Sequence, residues 1–279
     1  MKGNMNSREN ILRIVSYIVL TIGSLIMILP FLWMISTSFK SLSEVFAFPP
    51  TLFGEKIVWQ NYLSVSDRYP FGLFFINSSK IAIIVVIGQL LTSSMAGFAF
   101  ARLKFPGRDS LFALYLATLI VPFHVTLIPI FIIMRNLNWI DTHYSLIIPS
   151  LVAAFGTFLM RQFFLTIPEE LVEAAKIDGC TPWGIYWRIF MPLSKPALAT
   201  LGVFTFMGIW NDFIRPLVFI NSIRKMTVPL GLGTLQGMYS TNWPVLMAGT
   251  VISVIPVLIV FLLAQEYFVK CITLSGLKG

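Results

Sequence analysis

The chain has 279 residues, of which 57% are hydrophobic and 11% charged, with 25 Phe and a formal charge of +8; its mean hydropathy is +0.83. A water-soluble domain of this length needs far more polar surface, so the bilayer is the expected solvent and an all-α membrane protein the expected fold. Cys180 and Cys271 both fall on the side expected to face the cytoplasm, where a disulfide is not expected, and two histidines without companion cysteines define no metal site.

In chain order, six apolar runs are long enough to span about 30 Å of hydrocarbon: Ile14–Phe39, Leu73–Ala101, Leu111–Met134, Tyr144–Phe164, Ala197–Ile220 and Pro244–Val269. They are too long and too uniformly apolar for barrel strands, so a single transmembrane domain over residues 1–279 is expected. The first run follows Lys2, Arg8 and Arg13, as a signal peptide would, but it is too long for an h-region and no A-x-A site follows; a retained helix is expected.

On the second run Gln89, Thr92, Ser93 and Ala96 share a face, with Gly88 and Gly97 nearby. That pattern suits close helix packing or a polar solute path, and the sequence leaves both open. Lys80 near the outer end is expected to snorkel. The next loop, RLKFPGR (Arg102–Arg108), is strongly basic, whereas NLNWIDTH (Asn136–His143) has no Lys or Arg. The positive-inside rule then puts Arg102–Arg108, both termini and the stretch around Arg161–Lys195 in the cytoplasm; Arg224 and Lys225 are the exception. This topology accounts for the basic balance without nucleic acid. His124, between Pro122 and Pro129, sits in a helix expected to kink.

Between the fourth and fifth runs stands EELVEAAKIDGCTPWGIYWRIFMP (Glu169–Pro192), a polar island. Over residues 166–192 the pattern predicts a helix-turn-helix. Thr166 and Glu169 match a capping box, Pro168 falls in the first turn, and Gly179 is placed for a left-handed cap. Thr181-Pro182 opens a second helix that should end before Pro192. Leu171, Ala174, Ala175 and Asp178 recur at helical spacing, so the alanines would let another surface approach, while Glu170 and Glu173 offer charge to basic groups.

The fifth run carries Trp210, Asn211, Asp212 and Arg215. Asp212 and Arg215 at i and i+3 suit an ion pair; an aromatic beside amide and carboxylate groups also suits a sugar. No G-x4-G-K-[ST] occurs, GLGTLQG (Gly231–Gly237) is not a dinucleotide fingerprint, and no Ser/His/Asp set or paired carboxylates can be assembled; Asp141 and His143 lack a nucleophile. Catalysis by this chain is therefore not expected.

Glu173-Ala174-Ala175, Gly179, Ile189 and Pro192 stand at the spacing EAA-x3-G-x9-I-x-L-P, with Met191 at the Leu position. This resembles the cytoplasmic signature of permease subunits of binding-protein-dependent ABC importers. FLMRQFFLTIPEEL (Phe158–Leu171), WNDFIRPLVF (Trp210–Phe219) and WPVLMAGTVISVIPVLIVFLLAQEYFV (Trp243–Val269) are similar to the maltose-type carbohydrate branch, and the resemblance runs from about Leu29 to the C-terminus. It implies that Glu173, Ala174, Ala175, Asp178 and Gly179 form a coupling helix seated in an ATPase cleft, with Ile189 and Pro192 bracing the second helix. It also implies that Ser275, Gly276 and Lys278 reach the ATPase and that Gly231–Gly237 reaches a docked binding protein. The implied partners are a second homologous permease, a cytoplasmic ATPase dimer that uses ATP and Mg2+, and an extracytoplasmic solute-binding protein. The implied setting is a bacterial or archaeal plasma membrane. The expected path residues are Gln89, Ser93, His124, Trp210, Asn211 and Asp212. Two rival expectations stand beside it: an ion-driven secondary transporter, which calls for inverted repeats that the sequence does not display, and the same ABC scaffold carrying a non-sugar solute.

Overall fold

The computed structural model describes residues 2–67, 70–236 and 241–276, with side chains over 9–67, 70–236 and 241–266. Lys278 and Gly237 lie outside the described residues, and the side chains of Cys271 and Ser275 outside those described. Every regular element among the described residues is helical; one isolated β-bridge joins Gln236 and Thr241. Four helices are long and apolar enough to cross a membrane, or up to six when each of two bent pairs counts as one span.

The chain divides into two compact units. The first comprises Met1–Tyr69 and Thr234–Ile252. Its α1 (Lys2–Ser38) is apolar on every side from Ile14 to Ile35 and exposes nearly all of that surface, as a helix solvated by lipid or a partner must. Two short helices follow, α2 (Leu42–Val45) and α3 (Gln60–Ser64). The connecting segment is held by Lys40, which is 2% exposed; its ammonium donates to the Thr51 carbonyl and lies 4.7 Å from the Trp33 ring centre. Asn61 Nδ2 donates to the carbonyls of Ser38 and Lys40, both at 2.9 Å.

The second unit, Pro70–Gly233 with Ser253–Gly279, is built around α4 (Phe71–Arg102). The chain continues through α5 (Arg108–Ala117), α6 (Phe123–Asn136), α7 (Tyr144–Ile147), α8 (Ala154–Leu165), α9 (Glu169–Ile177), α10 (Pro182–Ile185), α11 (Met191–Leu193) and α12 (Lys195–Trp210). It then forms α13 (Ile214–Phe219) and α14 (Val228–Leu235), and ends in α15 (Trp243–Gly276), whose first residues belong to the other unit. α4 packs along α8 and α12. Glycine permits the close α4–α8 approach: a Cβ on Gly97 would fall 2.9 Å from the Arg161 backbone N, and one on Gly156 2.4 Å from Ser93 Oγ.

Three of the expected spans are broken, the one around Pro122 as its proline leads one to expect. Leu111–Met134 turns by 98° between a 3-10 segment, Thr118–Ile120, and α6. Pro122 supplies the reason, since it has no N–H to continue the ladder and pushes Val121 out of the helical region. Tyr144–Phe164 contains a 3-10 turn, Ile148–Ser150, and an extended residue at Ala153 before α8. Ala197–Ile220 stops at Trp210 and restarts at Ile214; Pro216 falls in the first turn of α13, where no ladder bond is lost.

Candidate functional site

Two features stand out in the second unit, a helix pair at the Arg102 end of α4 and a polar cavity where two spans are broken. The helix pair begins differently from the expectation. Thr166 does not cap α9; it completes α8 in helical conformation, and its hydroxyl donates to the Phe163 carbonyl at 2.7 Å. The chain then needs Ile167 inside the core and Pro168 at φ −56° to redirect itself, so Glu169 opens α9 and no capping box forms. The end matches expectation. Gly179 sits at φ +77°, Cys180 N donates to the Ala175 carbonyl at 2.8 Å and Gly179 N to that of Lys176 at 3.0 Å, a Schellman closure. Thr181 Oγ1 then accepts from Gly184 N at 3.2 Å and opens α10.

The second helix passes through Pro192 instead of ending before it. Tyr186–Phe190 widens into a π-turn, and the helix continues as Met191–Leu193. Widening moves the carbonyls away from the proline ring, which an α-helical ladder would not allow. Pro192 is exposed, while Ile189 packs against the core.

That core is aromatic. Phe98, Phe164, Tyr186 and Phe190 meet with ring centres 4.9–6.4 Å apart, and Val172 and Ala175 of α9 are buried in the same cluster. The expected Leu171–Ala174–Ala175–Asp178 face is thus divided. Ala175 points into this chain, whereas Leu171, Glu170, Glu173, Ala174, Asp178 and Gly179 are exposed, together with Ile177 at 87% and Trp183 at 57%. Arg102 clamps the junction: its Nη2 donates to the carbonyls of Phe164, at 2.7 Å, and Ile167, and its guanidinium lies over the Phe190 ring.

The cavity, about 300 Å3, is lined by Gln89, Ser150, Phe155, Thr205 and Arg215 among others. Its polar groups come from four elements. The break after Ile148–Ser150 leaves carbonyls without intrahelical donors, and α4 supplies them: Gln89 Nε2 donates to Ser150 O at 2.7 Å and Thr92 Oγ1 to Leu151 O at 2.6 Å. Thr205 Oγ1 of α12 donates to Gln89 Oε1 at 2.8 Å. Arg215 of α13 pairs with Asp212 and donates through Nη1 to Ser150 Oγ. A larger hollow of about 740 Å3 lies along Lys104–Ser110, but consecutive residues of one turn line it, so it is a surface concavity.

Of the expected path residues, Gln89 lines the cavity and Asp212 stands behind Arg215. Trp210 does not join them. It is buried, donates from Nε1 to the Ser253 carbonyl at 3.0 Å, and borders a separate apolar hollow of about 670 Å3 with Phe75 and Phe206. Ser93 is buried at the Gly156 contact; its hydroxyl has no hydrogen-bond partner among the described residues. His124 is exposed at the start of α6, and Asn211 is exposed at the end of α12. Ser150, Thr205 and Arg215 were not among the expected path residues. The Ile148-Pro149 step and the Asp212/Arg215 spacing were the available signals.

Apolar spans, an exposed helix pair at one end and broken helices around a polar cavity define a membrane transport component. Residues 89–273 match the profile described as a binding-protein-dependent transport system inner membrane component, and the chain belongs to that family of ABC importer permeases. It is 36% identical over 267 residues to the arabinooligosaccharides transport system permease protein AraQ of Halalkalibacterium halodurans, covering 93% of this chain and 96% of that one. It is 34% identical to the sn-glycerol-3-phosphate transport system permease protein UgpE of Yersinia pestis, over 93% and 95% of the two chains. Among solved structures it is similar to a chain of a bacterial ABC transporter involved in import of the acidic polysaccharide alginate, with a TM-score of 0.81, 26% identity, and coverage of 93% and 97%.

Proposed function

We propose that this permease carries a carbohydrate inward by alternating access, coupled through α9 and α10 to a separate cytoplasmic ATPase. The observation that carries the coupling role is the divided α9: one face is locked into the aromatic core by Val172 and Ala175, and the other presents Leu171, Ala174 and Ile177. Exposed apolar groups on a helix outside the candidate spans call for a protein partner. Glu170, Glu173 and Asp178 around that patch suit basic groups on the ATPase, and Gly179 lets the helix end tightly enough to seat in a cleft. In this reading the Arg102 end of α4 and both termini face the cytoplasm, where the partner ATPase dimer consumes ATP and Mg2+. The Asn77 end faces outward, toward a solute-binding protein. A second homologous permease completes the path, and α1 offers the lipid- or partner-facing surface. The carbohydrate cargo is supported by the relatives named for arabino-oligosaccharides and alginate.

The test is reconstitution of the full complex in proteoliposomes with wild-type chain and with Ala174→Arg. The wild type should import labelled oligosaccharide in an ATP-dependent, protonophore-insensitive manner. Ala174→Arg adds bulk to the exposed face without touching this chain's core, so the ATPase should no longer co-purify and uptake should fall to background. Uptake that follows a proton gradient without ATP, or full ATPase retention by Ala174→Arg, would overturn the reading.

A further inference from the structure

The cavity between the broken spans has a charge arrangement that bears on which carbohydrates pass. Among the described residues, Arg215 is the one charged residue that lines it. A largely buried guanidinium facing a cavity would by itself favour anions, since little water is left to screen it. Here it is neutralised: Asp212, one turn earlier, accepts from Arg215 Nε and also from the Arg215 backbone N, and both side chains are largely buried, at 22% and 16% exposure for Arg215 and Asp212. The pair is held in place, because Ser150 Oγ accepts from Arg215 Nη1 and Ser150 is itself buried in the broken span. Arg215 Nη2 has no hydrogen-bond partner among the described residues, so its N–H groups remain for a solute oxygen. Thr205 and Gln89 add neutral polar atoms beside it.

We infer that this cavity is a solute-binding subsite for neutral, hydroxyl-rich carbohydrate, with Arg215 as donor and Asp212 as the specificity-determining residue that keeps it from favouring uronates or phosphorylated polyols. The inference rests on the importer reading and deepens it. Two of the relatives are named for acidic cargo, so the charge of the solute is a variable within this scaffold. Asp212 acts through Arg215: it cancels the attraction for an anion while leaving the donor geometry intact. An acidic solute would have to displace Asp212 from the guanidinium, whereas a hydroxyl needs only the free N–H groups.

The experiment uses the purified full complex in detergent without its binding protein. Binding of a neutral pentose oligosaccharide and of a uronate oligosaccharide of equal length is measured by equilibrium dialysis at low and high salt. Wild type should prefer the neutral probe. Asp212→Asn should shift the ratio toward the uronate by about tenfold, and added salt should erase that gain. Removing both charges, as Asp212→Asn with Arg215→Gln, should restore the neutral preference with weaker binding overall, a result that misfolding would not produce. A wild-type preference for the uronate, or a ratio unmoved by Asp212→Asn in a complex that still binds both probes, would overturn the inference while leaving the importer reading intact. Binding of neither probe, together with no ATP-driven uptake in proteoliposomes, would overturn both.

Discussion

At the Arg102 end of α4 the neighbours are aromatic: Phe98, Phe164, Tyr186 and Phe190 pack ring against ring, and a single guanidinium closes the junction. At the Asn77 end a smaller apolar cluster is overlain by hydrogen bonds between loops. Asn77 Nδ2 donates to the carbonyls of Arg224 and Met226 at 2.9 and 3.0 Å, and Ser78 Oγ accepts from Val228 N at 2.8 Å. Asp141 accepts from the backbone N of Asn221 and Ser222 and from Lys225 Nζ, while His143 Nε2 donates to the Lys225 carbonyl at 3.0 Å. The contrast has a mechanical sense. Close-packed rings move as one body and ignore pH and salt, which suits the end proposed to receive the ATPase stroke. A charged hydrogen-bond network can be loosened by one proton or one substitution, which suits the end proposed to meet a solute-binding partner.

Phe190→Ala should have the largest effect on the aromatic end. Phe190 is fully buried between Phe98 and Phe164 and under the Arg102 guanidinium, so truncation should cost about 3–5 kcal/mol and detach α9–α10 from the bundle. Thermal denaturation in detergent reads the first effect and ATPase co-purification the second. A barely shifted melting temperature would mean that the aromatic end is not a rigid block.

Gly179→Val probes the same end without touching the core. An added Cβ would meet no atom within 4 Å, so any effect comes from φ +77° alone, about 1–3 kcal/mol of local strain for a β-branched residue. Uptake should fall by about tenfold if that strain unseats the proposed docking helix. Gly179→Asn, which tolerates left-handed geometry, should keep most of it. Equal loss in both variants would point to a need for glycine's small size, not its backbone freedom.

The Arg102 end and the cavity also differ in how far the sequence discloses them. The turn at Gly179 and the cap at Thr181 are local, decided by residues within five positions, and both are found as the pattern predicts. Thr166 failed for an equally local reason: α8 ran one residue further and used it. The inward direction of Ala175 depends on Phe98 and Phe164 of other helices, which helical periodicity alone does not reveal. The cavity is less legible still. Gln89 meets Thr205 across 116 residues and Ser150 across 61, and the meeting depends on breaks that hydropathy smooths over. Pro149 and Pro216 were visible in the sequence, but proline is tolerated within membrane helices, so a run containing it still reads as a single span.

At the polar end Asp141→Asn should have a smaller effect, about 1–2 kcal/mol, because the amide oxygen still accepts from the backbone while the ion pair with a partly exposed Lys225 is lost. Burial opposes ionisation of Asp141, but the bonds from Ser222, Asn221 and Lys225 together hold its carboxyl far below the ordinary 3.8. A depressed carboxyl contributes fully above its unfolded value and loses that contribution only as pH falls through the folded one. Wild type should therefore show no Asp141 step between pH 5 and 8, and the variant should exchange amides of Asn221–Met226 faster throughout that window.

His143 supplies the pH sensitivity that Asp141 lacks. Burial is the main cause pushing its imidazole below the ordinary 6.5; the charges of Lys80 and Lys225 add to this, and the bond to the Lys225 carbonyl and the Asp141 charge oppose it. Because the folded value is depressed, the stabilisation is complete above 6.5 and shrinks as pH falls through the folded value. Exchange at Asn221–Met226, corrected for intrinsic rates, should thus accelerate slightly between pH 7 and pH 5, while amides around Tyr186 and Phe190 stay flat. His143→Gln keeps a donor for the Lys225 carbonyl but cannot take up a proton, so it should remove the step and leave the neutral-pH rates unchanged. A step that survives in His143→Gln would assign the pH response to another group and end the contrast between a proton-sensitive Asn77 end and an insensitive aromatic one.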